Sequence, residues 1–245
     1  MDKRFGTRHF EIDRRVLIAG ATVLTAAGAT SAGSQERPMI DNATALIVVD
    51  VQNDFCPGGR LAVPKGDEIV PVVNGIARRF QNVVFTQDWH PEGHSSFASS
   101  HAGRKPFDMV QMPYGPQVLW PDHCTWDSAG AEFHEGLDVP HAQTIVRKGY
   151  RKEVDSYSGF MEADRRTPTG LSGYLKERGV TRAVVVGLAT DFCVNWTAQD
   201  AAKNGLQTFV VEDACRAIDL NGSLGKAWSD MAALGVKRIK ASELI

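Results

Sequence analysis

The chain has 245 residues, 43% of them hydrophobic and 23% charged, with a formal net charge of −2. That length suits one well-cored α/β domain, or at a stretch two small ones, and the charge gives no electrostatic reason to expect a nucleic-acid or membrane-surface partner. In the body of the chain no uncharged apolar run reaches the roughly 18 residues that a membrane-spanning helix needs.

The N-terminus has its own character. Residues 1–13 are charged and irregular, and Arg14 and Arg15 then precede an uncharged Ala/Gly-rich run over residues 16–32. Ala27-Gly28-Ala29 fits an A-x-A cleavage pattern. This arrangement resembles a bacterial twin-arginine export signal. It predicts residues 1–33 as a leader and a periplasmic or otherwise exported mature chain. A basic tail or an amphipathic first helix on a cytoplasmic protein is the alternative. Residues 34–42 read as a polar linker and 43–245 as one domain. Cys56, Cys124, Cys193 and Cys215 form no CxxC pair, and three of them sit inside the motifs below, which favours local roles over disulfides.

In chain order, residues 45–50 (Ala-Leu-Ile-Val-Val-Asp) are an apolar run ending in a carboxylate, the pattern of a strand buried on both faces. Ile69, Val72, Val73, Ile76 and Phe80 recur at helical spacing, and residues 83–86 predict a second strand ending just before Asp88. Residues 91–140 are rich in Gly, Pro, His and aromatics with little periodicity. A stretch that long and irregular is better suited to building a site than to simple connection. Strands are predicted over residues 144–146, 182–187, 208–212 and 236–239. Helices are predicted over residues 169–178, with Thr167 or Thr169 as cap, over 191–204, stopped by Gly205, and over 223–234. The alternation argues for a single doubly wound, mostly parallel six-stranded sheet with helices on both faces.

Ligands of such sheets bind at the carboxyl ends of the strands. Asp50, Asp88 and Lys148 stand at three predicted strand ends, and Cys193 lies just past a fourth. A thiol opening a helix is favoured as thiolate by the helix dipole and free amides, and those amides suit an oxyanion. Asp50 and Lys148 offer a base for its proton and a cation for its anion. Asp88, His90, His94 and His123 supply mixed nitrogen and oxygen donors of the kind that hold Zn²⁺, Mn²⁺ or Fe²⁺. Each has a plainer reading, as a packed cysteine, a solvated strand end or a surface histidine; His101, His134 and His141 are expected to be surface residues. No nucleophile elbow with Ser and no P-loop is present.

Five separated motifs carry a resemblance. Residues 50–59 (Asp-Val-Gln-Asn-Asp-Phe-Cys-Pro-Gly-Gly), 87–91 (Gln-Asp-Trp-His-Pro), 120–124 (Trp-Pro-Asp-His-Cys), Lys148-Gly149 and 187–193 (Gly-Leu-Ala-Thr-Asp-Phe-Cys) occur in order. From about Ala43 to the C-terminus the chain resembles the nicotinamidase branch of the isochorismatase-like hydrolases; the leader lies outside the resemblance. The resemblance implies hydrolysis of nicotinamide to nicotinate and ammonia, with activity on pyrazinamide expected too. It implies a triad of Asp50, Lys148 and Cys193, a cis bond at Leu188-Ala189, and an oxyanion hole from the Ala189 and Cys193 amides. It further implies a pyridine pocket lined by Phe55, Trp120 and Tyr157. One divalent metal would be held by Asp88, His90 and His123, with His94 as a fourth or water-mediated ligand and Zn²⁺ favoured over Mn²⁺ or Fe²⁺. No organic cofactor is implied, and the family commonly forms homo-oligomers.

Two rivals remain at this point. Isochorismatases cleave a vinyl ether and need no cysteine nucleophile, and other amidases of the superfamily lack the Asp-x-His metal pair. A metal-binding protein without catalysis would leave Asp50, Lys148 and Cys193 without a role.

Overall fold

A computed structural model describes residues 37–245; the predicted leader, including its twin arginine, lies outside the described residues. Eight strands run in chain order as β1 (Thr44–Val49), β2 (Asn82–Asp88), β3 (Met109–Met112), β4 (Gly115–Val118), β5 (Thr144–Lys148), β6 (Arg182–Leu188), β7 (Gln207–Arg216) and β8 (Lys237–Ile239). The four α-helices are α1 (Val70–Ala77), α2 (Leu171–Glu177), α3 (Asn195–Lys203) and α4 (Ser223–Ala233). Six strands form one sheet in the order β5-β2-β1-β6-β7-β8. Every pairing in it is parallel, so the mostly parallel expectation sharpens to wholly parallel.

The sheet centre follows from composition. All six residues of β1 and all seven of β2 are buried, because neither face of these strands meets water. On one face Leu46, Val48, Val184 and Val186 pack with Val70, Val73 and Ile76 of α1. On the other, Ile47, Val49, Val185 and Val210 pack with Leu171 and Leu175 of α2, Ala198 and Ala201 of α3 and Met231 of α4. Burying each large aliphatic side chain stabilises the fold by about 1.5–3 kcal/mol. The apolar runs are therefore what fixes the sheet order. Gly187 shows the tolerance at the strand ends: its φ is +121°, and a Cβ there would lie 2.0 Å from Val49 O. Only glycine lets β6 run that close to β1 beside the site.

Some elements differ from expectation. Strand β2 runs through Asp88 instead of stopping short of it, and β7 continues past Glu212 to Arg216 after a register shift opposite residues 185–187. Residues 91–140 include the antiparallel hairpin β3–β4, which lacks the alternating β-branched pattern of a typical strand. The helix expected from Asp191 begins instead as a π-helical turn, Thr190–Val194, and only then becomes α3. Its cause is local: Ala189 O accepts from both Phe192 N and Val194 N, each at 3.1 Å. Thr169 does assist α2, its hydroxyl accepting from Leu171 N at 3.2 Å. Residues 37–42 of the expected linker are tied to the domain, with Ile40 N donating to Ile245 O at 2.8 Å and Asp41 paired to Arg182.

Candidate active site

Asp88 and Lys148 are direct register partners on β2 and β5. Parallel neighbours in register project to the same side, which brings the Lys148 ammonium onto the Asp88 carboxylate Oδ1. The Lys148 side chain reaches on to Asp50, whose Oδ2 lies 2.8 Å from Nζ. Nζ is also 3.1 Å from Ser156 O and 3.4 Å from Cys193 Sγ. Asp50, Lys148 and Cys193 are all buried, with Asp50 and Lys148 at 0% exposure. Thr86 donates to Asp50 Oδ1 at 2.6 Å, and Oδ2 has no hydrogen-bond donor other than the lysine facing it. Asp50, Asp88 and Cys193 bring their polar atoms within 4.8 Å of one another.

The electrostatics follow from one cation among several anionic groups. Burial pushes Asp50 above the ordinary carboxylate range, and Lys148 only partly offsets it. For Asp88 burial acts the same way, but Lys148 first, then His90 and His123, outweigh it and hold the carboxyl well below its usual range. Burial disfavours the charged lysine, yet Asp50 and Asp88 overcome it and keep the ammonium protonated far above its ordinary value. Burial also raises the Cys193 thiol well above its ordinary range, with Lys148 opposing and the two aspartates reinforcing. Burial thus favours the thiol form of Cys193, while the two aspartates favour the charged form of Lys148 between them.

Next to it, His90 Nε2 and His123 Nε2 face Asp88 Oδ2 at 3.7 and 3.8 Å, and these three groups form a buried cluster with metal-ligand spacing. His90 Nδ1 bonds Gly149 O at 2.9 Å and His123 Nδ1 bonds Pro121 O at 2.8 Å. A carbonyl at Nδ1 accepts a hydrogen bond from that nitrogen's N–H and so leaves Nε2 as a lone-pair donor, the outer support that metal-binding histidines require. The chemistry of the donor set therefore fits a divalent ion. Gly149 is required here: its φ is +64°, and a Cβ would sit 2.4 Å from His90 Cε1.

His94 stands beside this cluster. Its ring packs 4.4 Å from that of His90, but Nδ1 meets Ser96 Oγ at 2.8 Å and Nε2 meets the Arg151 and Val154 carbonyls at 3.1 and 3.2 Å. Its closer grouping is with His90 and Asp155, not with Asp88 and His123. Burial, then His90, lowers its pKa to about 4. Of the expected surface histidines His141 is exposed, while His101 and His134 are half-buried. All four cysteines are free and buried.

Phe55, Trp120 and Tyr157 line one pocket with Asp88, His123 and Cys193. Leu61, Phe192 and Ile218 complete the apolar wall, and Asp155, Ser156 and Ala189 are also present. The Trp120 and Phe192 rings pack edge to face, at 89° with centroids 4.8 Å apart, and give the pocket an apolar aromatic corner. The peptide bond Leu188-Ala189 is cis. Three supporting residues escaped sequence reasoning. Gln52 clamps the Asp88 backbone from both sides, accepting from its N–H and donating to its O, each at 2.8 Å. Asp54 accepts from Cys124 N at 2.7 Å, beside His123. Asp191 accepts from Ile218 N and Asp219 N at 3.1 and 2.8 Å, tying the turn that carries Cys193 to the loop bearing Ile218. Gln52 stands two residues after Asp50 in the first motif, a signal that its spacing offered.

A wholly parallel α/β sheet carries a buried thiol, carboxylate and ammonium at its carboxyl edge, and the isochorismatase domain matches residues 44–243. The chain belongs to that family. The nicotinamidase of Acinetobacter baylyi is 58% identical over 204 residues, covering 83% of this chain and 95% of the relative. Among solved structures, an Acinetobacter baumanii nicotinamidase/pyrazinamidase superposes with a TM-score of 0.83 at 56% identity, covering 84% of this chain and 99% of that one. The pyrazinamidase of Pyrococcus horikoshii in complex with zinc gives a TM-score of 0.67 at 36% identity, covering 81% and 99%. No helix among the described residues is long and apolar enough to cross a membrane.

Proposed function

We propose that this protein is a nicotinamidase that hydrolyses nicotinamide to nicotinate and ammonia through a Cys193 thioester, and that it also accepts pyrazinamide. The observation that carries the reading is Lys148, whose ammonium touches Asp50, Asp88 and Cys193 together behind a pocket that Asp88 and Cys193 line with Phe55, Trp120 and Tyr157. Identity of 58% to a nicotinamidase over nearly all of that relative's length supports the substrate.

In this mechanism Asp50 accepts the Cys193 proton. Burial raises the proton affinity of Asp50, which suits it to accept that proton, and the adjacent Lys148 favours the thiolate left behind. The sulfur forms a bond to the carboxamide carbon. The Ala189 and Cys193 amides would hold the oxyanion. As the C–N bond breaks, Asp50 returns its proton to the departing ammonia. Asp50 then accepts a proton from a water that attacks the thioester, the C–S bond breaks, Asp50 passes that proton to the Cys193 sulfur, and the acid loses its own proton to solvent as nicotinate. Asp88, His90 and His123 would hold one divalent ion, zinc being the metal named for the Pyrococcus relative; when bound it supplies an electrophile for the pyridine nitrogen or its water. His94 then braces the His90 ring, its own nitrogens being turned to Ser96 and to backbone carbonyls. The pair Arg14-Arg15 supports export of the mature enzyme, which fractionation of cells expressing the full chain tests.

The decisive experiment is ammonia release from nicotinamide by the purified chain, beside Cys193→Ala and a chelated sample. Turnover by the wild type alone supports substrate, nucleophile and metal together. An inert, folded, metal-loaded wild type overturns the substrate reading.

A further inference from the structure

Tyr157 forms one wall of the pocket beside Cys193, yet its outer side is not closely packed. Behind it lies a second cavity of about 320 Å³, lined by Tyr114, Pro116, Met161, Arg165 and Trp196. The nearest roughly parallel ring there, Trp196, is 6.3 Å away between centroids. A ring backed by open space gains little dispersion on that side, so its position must be set by other means.

Its hydroxyl supplies them. The Tyr157 oxygen accepts from Gln117 Nε2 at 2.9 Å and from Trp120 Nε1 at 3.0 Å, so one phenol oxygen ties together the two aromatic walls of the pocket. Gln117 is itself buried at 1% exposure and borders only the rear cavity. Tyr114 donates to its Oε1 at 3.2 Å, while Nε2 also faces Asp155 Oδ2 and Val118 O, both at 2.7 Å. With two amide protons for three acceptors, one proton is shared in a three-centre bond and none is left over. Asp155, 2% exposed, is fixed in turn by the Ser156 amide, which donates to Oδ1 at 2.8 Å. A buried carboxylate grips a donor strongly, so the chain Asp155–Gln117–Tyr157–Trp120 is anchored at its inner end.

We propose that Gln117 is a specificity-determining positioning residue: held by Asp155, it fixes the corner that the Tyr157 and Trp120 rings make, at 82° with centroids 6.4 Å apart, to the size of a single six-membered heteroaromatic ring and stops Tyr157 from swinging into the cavity behind. The inference rests on the nicotinamide reading above. Without this clamp the pocket widens, a single ring is held less well, and a fused bicyclic amide is admitted.

The test is steady-state hydrolysis of nicotinamide and of quinoline-3-carboxamide by the metal-loaded full chain as wild type, Gln117→Leu, Tyr157→Phe and the double variant, each with its thermal melt. Loss of one buried hydrogen bond to Tyr157 should raise KM for nicotinamide about tenfold with kcat within about twofold. The kcat/KM preference should shift toward the bicyclic amide by about tenfold. Adding Gln117→Leu to Tyr157→Phe should change nothing further, because the oxygen it acts through is already gone. Losses that multiply in the double variant, a fall in kcat with KM unmoved, or an unchanged substrate preference would overturn the proposal. Should Gln117→Leu not fold, Tyr157→Phe alone must show the same KM and preference shifts, and their absence overturns it equally. A wild type inert on nicotinamide refutes the proposed function and this inference together; an active wild type with an additive cycle refutes this inference alone.

Discussion

Asp50, Asp88 and Lys148 stand at or just past the ends of three adjacent strands, β1, β2 and β5, whereas Trp120 and His123 ride on the irregular stretch between β4 and β5. The first group is aligned by ladder register, with Asp88 opposite Lys148. The second is held by single side-chain to backbone bonds, such as His123 to Pro121 O and Cys124 N to Asp54. The sheet thus supplies charges whose spacing is fixed by hydrogen-bond geometry, and the loops supply shape, which single substitutions can retune. Charge damage should therefore abolish chemistry, while loop damage should alter affinity.

The largest expected effect tests the charge side. Cys193→Ala should reduce amide hydrolysis by at least about 10³-fold while leaving metal content unchanged; residual turnover close to wild type would remove the thiol from the mechanism. Next is Lys148→Met, which strands two buried carboxylates. Breaking a buried pair in this way costs about 3–5 kcal/mol, so denaturant unfolding should show a marked loss of stability as well as lost turnover. An unaltered melt would mean that Asp50 and Asp88 are compensated by other means.

Gly149→Ala probes the seam between the two regions, since its Cβ would collide with the His90 ring. Metal affinity, read by competition with a chromophoric chelator, should fall by about 10–100-fold with the sheet intact. The smallest effect lies far from the site. Hydrogen bonding from Arg182, against a lesser burial effect, lowers the pKa of Asp41. A lowered folded-state pKa contributes stability that is present above the ordinary carboxylate value and lost as pH falls through the folded one. Asp41→Asn should therefore lower Tm slightly at neutral pH, and the gap to wild type should close under acid. A gap that persists there would assign the effect to something other than charge.

How far this division was legible beforehand also follows it. Uninterrupted apolar runs disclosed β1, β2 and β6, and with them the ends that carry Asp50 and Asp88. The hairpin β3–β4 was not legible, because Met-Val-Gln-Met and Gly-Pro-Gln-Val show neither alternation nor a Gly-containing two-residue turn. The π-helical turn under Cys193 was hidden as well, since composition does not separate it from the start of an α-helix. Motif spacing picked out His94 alongside His90, but orientation is decided by the Arg151 and Val154 carbonyls, nearly sixty residues away in sequence. Gln117 carried no signal of its own: its partners Asp155 and Tyr157 are brought to it only by folding.

Strand β5 is the outermost of the sheet on its side and pairs with β2 alone. Edge segments open to solvent at lower free energy than the interior, so amide exchange should begin there while β1 and β6 remain protected. Lys148, the ammonium shared by Asp50, Asp88 and Cys193, sits on that strand. Warming would then withdraw the cation by local fraying, silencing the enzyme reversibly at temperatures where its core is still intact.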